Sequence, residues 1–239
     1  MTGAYDLDNF TMPVRIPAGE AKLEGDLVLV PGARGLVVFA HGSASSRFSP
    51  RNRLVASVLE RDGFATLLID LLTPDEEEVD RRTGHVRFNI HMLAQRLTAI
   101  VDWLLERPET ASLPIGLFGV STVGGAALVA AADRPHSVMA VVSRGGRPDL
   151  AGHALPRVTT PTLLVVGGLD SQVVELNREA MSRLPGIVEL EVVPGATHLF
   201  DEPGTLAEVA ERAAEWFGRF LTAAPRRTST PLWTRTRGA

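Results

Sequence analysis

Short apolar runs recur along the chain at Leu36 to Ala40, Ala65 to Asp70, Pro114 to Phe118, Val138 to Val142 and Thr162 to Val166. A run that is apolar throughout, rather than at alternate positions, marks a strand covered on both faces. Between the runs the spacing becomes helical. Leu54, Val55, Val58 and Leu59 form one apolar stripe, and Ile90, Leu93, Leu97, Ile100, Val101 and Leu104 form another, between about Phe88 and Glu106. Helices are also expected from Val173 to about Leu184 and from Pro203 to Leu221, with a strand from Ile187 to Val193 between them. Strand and helix in alternation imply an α/β fold, a mostly parallel central sheet of about eight strands with right-handed crossovers and helices on both faces.

Two stretches precede or interrupt this rhythm. Phe10 to Pro17 and Ala21 to Val30 read as strands joined by the turn residues Ala18 and Gly19. The segment from Leu71 to Gly84 is rich in acids and arginines, has no apolar stripe, and reads as a long charged connection. Residues 1–221 read as a single domain. Residues 222–239 lack periodicity, carry Arg226, Arg227, Arg235 and Arg237 with no acid, and read as a disordered basic tail.

Composition narrows the chemistry. There is no cysteine, which excludes disulfides, thiolate-metal sites and a cysteine nucleophile. A net charge of −4 argues against nucleic acid as a partner. No apolar run approaches the ~20 residues that span a bilayer, and the first residues lack the pattern of a secretory signal. A cytoplasmic protein without a membrane partner, monomeric or a small homo-oligomer, is expected.

In a parallel sheet, functional residues gather at the carboxyl ends of strands. Ser121 lies between small residues where an apolar run gives way to the helix-forming stretch Ala126 to Ala132. That is the setting of a nucleophile elbow. Its usual pattern, Gly-x-Ser-x-Gly, is broken at Val123, with glycines only at 124 and 125. Asp170 and His198 follow later strands, so Ser121, Asp170 and His198 stand in the chain order of nucleophile, acid and base. A serine hydroxyl needs a neutral imidazole to take its proton, and the imidazole needs a carboxylate to fix its tautomer. Backbone N–H groups must face the developing oxyanion, and those of Ser43 and Thr122 are the candidates.

Competing roles exist for each. Ser121 or Asp170 could cap the helix that follows it, Glu175 or Asp201 could serve as the acid, and His198 could be an ordinary loop histidine. His41 reads as shaping the loop that follows it by hydrogen bonding. His85, His91, His136 and His153 show no metal-ligand spacing that fits the fold. Arg47, Arg81, Arg82, Arg87, Arg144 and Arg147 should lie near the catalytic edge. They either pair with acids such as Asp75 to Asp80 and Asp149, or one or two of them, Arg47 and Arg144 foremost, bind a carboxylate on the substrate. Val123 either crowds the elbow or reshapes the floor of a substrate pocket.

Gly-Val-Ser-Thr at 119–122, His-Gly-Ser at 41–43, Gly-Gly-Leu-Asp at 167–170 and Pro-Gly-Ala-Thr-His-Leu-Phe at 194–200 together resemble the dienelactone hydrolase family of α/β-hydrolases, and its small bacterial serine members most closely. Some of those members occur fused to phosphoribosyltransferase domains. The resemblance runs from about Val14 to Leu221. It implies an α/β-hydrolase fold and hydrolysis of small carboxylic esters or lactones through an acyl-enzyme with no metal or organic cofactor; if one or two of the arginines bind a substrate carboxylate, a half-ester or a carboxylate-bearing lactone would be preferred. The enzymes that name the family use cysteine; Ser121 points instead to carboxylesterase chemistry. The short connections between Val142 and Pro161 leave no room for a large lid. Two readings remain beside this one: a low-turnover binding or sensor protein on the same scaffold, and thioester or amide hydrolysis or perhydrolysis by the same triad.

Overall fold

The computed structural model describes residues 9–41 and 46–221. Strands β1 (Phe10–Ala18) and β2 (Ala21–Leu29) form an antiparallel hairpin turning at Gly19. Pro13 and Pro17 lie in β1, an edge strand, where a missing N–H is tolerated. Six further strands follow: β3 (Leu36–His41), β4 (Ala65–Asp70), β5 (Ile115–Val120), β6 (Val138–Arg144), β7 (Thr162–Gly167) and β8 (Val188–Val193). They complete an eight-stranded sheet in the order β1-β2-β4-β3-β5-β6-β7-β8. All pairings from β3 to β8 are parallel.

The apolar strands feed two cores at once. Leu36, Val38 and Ala40 of β3 join the core under α3 (Ile90–Leu105) and α4 (Thr122–Asp133). Val37 and Phe39 point the other way, into the core under α1 (Pro50–Arg61) and α6 (Thr205–Phe220). Both faces are thus dry, which is why β3 shows no polar alternation. Phe39 and Phe118, on adjacent strands, stack with ring centroids 4.9 Å apart.

Chain direction across the sheet reverses at β3. From β3 the chain steps to β4 on one side and then crosses back to β5 on the other. Loops leaving β3 and β5 therefore diverge, and the crevice between them at their carboxyl ends is where such sheets bind ligands. His41 ends β3, and Ser121 follows β5.

One element differs from expectation. Residues 74–83 of the charged connection form a helix, α2 (Pro74–Thr83). Thr73 accepts from the Glu76 N–H at 3.3 Å while Glu76 Oε2 accepts from the Thr73 N–H at 2.8 Å, a reciprocal capping box, and Gly84 closes the helix in the left-handed conformation. Caps and charge pairs, not an apolar stripe, make this helix. Helix α5 (Ser171–Met181) packs on β7 and β8. The β6–β7 connection is a 3-10 segment, Pro148–Arg157, lying against α4 and α5. No helix among the described residues is long and apolar enough to cross a membrane.

Candidate active site

Ser121 joins β5 to α4 with φ 54° and ψ −129°. Apart from glycines, only Ser121 and Phe200 (φ 57°) have positive φ among the described residues. Such a conformation costs energy for any residue with a Cβ and persists only where its surroundings hold it. They do so here. The Ser121 carbonyl accepts from the N–H groups of Gly124 and Arg147, each at 3.0 Å, and the Ser121 N–H donates to the Arg144 carbonyl at 3.2 Å. A Cβ on Gly119 would come within 2.8 Å of Gly124 Cα, so strand and helix can cross this tightly only with glycine at 119. The Ser121 side chain makes no capping bond to α4.

Asp170 and His198 meet across the sheet edge. His198 Nδ1 and Asp170 Oδ2 are 2.7 Å apart, although Asp170 follows β7 and His198 follows β8. Asp170 occupies the cap position of α5 without capping it. The rival acids are engaged elsewhere, Glu175 with Arg178 and Asp201 with Arg51. The turn bearing His198 is pinned beyond it by Phe200, 1% exposed, and before it by the Thr197 N–H, which donates to Glu202 Oε2 at 3.0 Å.

A glycine pair closes the gap between the elbow and the histidine. A Cβ on Gly145 (φ 51°) would stand 3.5 Å from both Nδ1 and Cε1 of His198. The β6 end therefore lies directly against the imidazole. Gly146 in turn accepts through its carbonyl from Asn177 Nδ2 at 3.0 Å, and Asn177 is fully buried in α5. Ser143, Gly145, Gly146 and Asn177 have no motif of their own; they become visible only in contact.

Residues 35–223 match the dienelactone hydrolase family. The chain belongs to the dienelactone hydrolase family. A dienelactone hydrolase from Anabaena variabilis of known crystal structure is 57% identical, with a TM-score of 0.87 over 89% of this chain and 99% of that one. A Mycobacterium tuberculosis (strain H37Rv) protein provisionally named a phosphoribosyl transferase is 58% identical over 204 residues, 85% of this chain and 45% of that protein. The chain thus spans about half the length of the curated relatives it matches. Est1E from Butyrivibrio proteoclasticus, at 17% identity, TM-score 0.72, and 87% and 98% coverage, shares the fold. This is a hydrolase family, and the present member carries its α/β-hydrolase fold.

Among the six arginines expected near the catalytic edge of this dienelactone hydrolase family member, pairing accounts for all but Arg144. Arg87 meets Asp80 at 2.7 Å, Arg147 meets Asp149 at 2.7 Å, and Arg81 and Arg82 both reach Glu78. Arg47, expected as a substrate ligand, is instead held by carboxylates. It pairs with Asp70, with Glu24 at 3.0 Å and with Asp26 at 3.8 Å, and stacks on Phe48. Asp70 also lies 3.7 Å from Nε2 of His41, which is buried at the end of β3. Arg47 thus ties the residues after β3 to β4 and the hairpin and is not left over for a substrate.

Val123 also departs from expectation. Its side chain has no exposed surface and belongs to the core packed beneath α3 and α4, so it lines no open pocket. Its β-branched side chain points away from the cleft because Ser121, at the turn, and Val123, in the first helical turn, face different ways. Thr122 is nearly buried at the start of α4, whose first N–H groups have no partners within the helix. Ser43 lies outside the described residues, as do residues 222–239.

Arg144 is the exception among those six arginines. It ends β6, is 4% exposed, and its Nη1 is buried without a hydrogen-bond partner. Burial, and Arg51 nearby, push its pKa down to about 10, with Asp201 pulling in the opposite direction.

Proposed function

We propose that the chain is a serine hydrolase of small carboxylic esters or lactones, working through a Ser121 acyl-enzyme. The observation that carries the reading is the 2.7 Å contact of Asp170 with His198 Nδ1, at the sheet edge where Ser121 is held in its strained turn. In this reading Asp170 keeps the proton on Nδ1, leaving the Nε2 lone pair free to accept the Ser121 proton. Ser121 Oγ bonds to the substrate carbonyl carbon, and the carbonyl electrons move onto oxygen. The Thr122 N–H, strengthened by the α4 dipole, receives that oxyanion, with Ser43 N–H as the second donor. Collapse breaks the ester bond, and the leaving oxygen takes the proton from His198 Nε2. Water then repeats the sequence on the acyl-enzyme, releasing the acid and restoring Ser121.

Strain at Ser121 supports this role over a structural one, since a helix cap needs no such backbone. The sensor alternative rested on Val123 crowding the elbow, and Val123 is a core residue. The transferase name of the mycobacterial relatives gives no competing reading, because the shared 204 residues must overlap the stretch that matches the hydrolase family.

Fluorophosphonate labelling tests the nucleophile: wild type is expected to label and Ser121→Ala to remain unlabelled. A panel of p-nitrophenyl esters, lactones, thioesters and amides then defines the bond cleaved. Folded wild type that neither labels nor turns over any of them would refute the proposal.

A further inference from the structure

Asn177 stands where helix α5 would ordinarily carry an apolar residue. Val173, Val174, Asn177 and Ala180 are the residues that α5 buries, and Asn177 has no exposed surface. Asparagine is a weaker helix former than leucine or alanine, and its Oδ1 here is sealed without a partner among the described residues. Leucine would carry neither cost. What asparagine supplies is a donor. Its Nδ2 donates to the Val173 carbonyl of its own helix at 2.8 Å and to the Gly146 carbonyl at 3.0 Å. The first bond fixes the side chain against α5, and the second carries that restraint to the end of β6.

The Gly146 carbonyl is one end of a planar peptide whose other end is the Arg147 N–H, and that N–H donates to the Ser121 carbonyl at 3.0 Å. A single peptide therefore spans from the helix that follows Asp170 to the strained Ser121 turn. The Arg144–Gly145 peptide makes a second span of the same kind. Its carbonyl accepts from the Ser121 N–H at 3.2 Å, and its N–H donates to the Val165 carbonyl of β7 at 2.7 Å. Between the two spans, Gly145 lies against the His198 ring. This loop has little else to anchor it. Gly145 stands at φ 51°, a Cβ on Gly146 would fall 1.8 Å from Ser143 Oγ, and glycine at both positions leaves a backbone with the least intrinsic restraint. Its hydrogen bonds must hold it instead.

We propose that Asn177 is a positioning residue for the reaction: by holding the Gly146–Arg147 peptide it keeps the strained Ser121 turn aligned with Asp170 and His198, without itself meeting the substrate. The inference rests on the hydrolase reading of those three residues and adds a fourth that decides how well they are aligned. Gly146 is buried, so without the amide its carbonyl would be left unpaired, and the peptide would turn to satisfy it. That turn takes the Arg147 N–H away from the Ser121 carbonyl. The conformation of Ser121 then loses one of the bonds that sustain it.

The test compares Asn177→Leu, which keeps the volume and removes the donor, Asn177→Ala, which removes both, and Ala180→Gly, which weakens the same helix at a buried position with no side chain to bond the loop. On the best ester of the panel, well below each Tm, both Asn177 variants are expected to lose about 10²-fold in kcat, the size of a misplacement near 1 Å, with KM within about threefold of wild type. The rate of fluorophosphonate labelling, which needs only Ser121 and its base, should fall in step. Ala180→Gly should lower Tm and keep both rates. Either Asn177 variant suffices if the other does not fold. A kcat within about twofold of wild type, or an equal loss in Ala180→Gly, overturns the proposal. The NMR cross-peak of His198 Cε1–H, the carbon that Gly145 faces, reads the alignment without turnover. It is identified among those of the six histidines by its loss in His198→Gln. It should move in the Asn177 variants and stay in Ala180→Gly. If wild type neither labels nor cleaves any ester and the cross-peak still moves, the hydrolase reading fails and the placement by Asn177 stands. A cross-peak unmoved in the Asn177 variants refutes the placement whatever the kinetics show.

Discussion

His198 presents Nδ1, not Nε2, to Asp170, at 2.7 Å. In the proposed mechanism the other ring nitrogen transfers the proton, and the side chain stays partly exposed. Asn at position 170 would favour the wrong tautomer while preserving shape. Asp170→Asn is therefore expected to lower kcat by roughly 10³–10⁴ with little change in KM. Steady-state kinetics on the best ester of the panel checks this; a loss below about tenfold would move the acid elsewhere.

Ser143 and Gly124 should be energetically coupled. A Cβ on Gly124 would lie 2.5 Å from Ser143 Oγ and 3.1 Å from Gly146 Cα, but 3.6 Å from Ser143 Cβ. Gly124→Ala is expected to push the first turn of α4 away from β6, lowering both Tm and kcat. Adding Ser143→Ala removes the worst contact, so the double variant should be more stable than Gly124→Ala alone, with a coupling of about 0.5–3 kcal/mol. Additive effects in denaturant unfolding would show that the two sites do not press on each other.

Val123→Gly should act on stability, not on selectivity. Emptying a fully buried valine site and placing glycine in a helix is expected to cost roughly 2–4 kcal/mol. The acyl-length profile of the surviving folded enzyme should match wild type. A changed profile would mean that Val123 shapes the cleft after all.

Arg144→Met should stabilise the protein. The guanidinium has its folded pKa depressed to about 10 by burial. Between that value and the ordinary arginine range the unfolded chain holds more protons, so stability rises with pH through that window, and below it the folded state carries the full penalty. The difference corresponds to roughly 3 kcal/mol as an upper figure. Arg144→Met is therefore expected to raise Tm at neutral pH by several degrees. A lower Tm would reveal a stabilising contact made by the guanidinium.

Glu76 should set part of the acid limb. Its hydrogen bonds to Arg96, followed by those at the Thr73 cap, hold its carboxyl below the usual range against the opposing effect of burial. A depressed carboxylate contributes stability that is present above its unfolded pKa and lost as pH falls through the folded one. Arg96→Met should lower stability near neutral pH and flatten the fall in Tm below about pH 4.5, the ordinary range of a glutamate. An unchanged acid limb would assign it to other carboxylates.

Local features explain what could be read without coordinates. Strands buried on both faces are apolar throughout, helices between them keep their period, and Ser121, Asp170 and His198 each follow a strand in an order seen in one fold. Helix α2 was legible too, in Thr73, Pro74 and Glu76, but its charged surface carries no apolar stripe, so periodicity concealed it.

The sequence by itself determined the class of sheet and which residues stand at the ends of its strands, because burial and backbone preference act over a few neighbouring positions. Only the tertiary structure decided which of the arginines at the catalytic edge is left without a partner and that Val123 is core. Arg47 is matched by Glu24, Asp26 and Asp70, all more than twenty positions away along the chain, while Arg144 is sealed beneath residues that already satisfy one another. Charge pairing and burial at those sites depend on segments that meet only when the sheet closes.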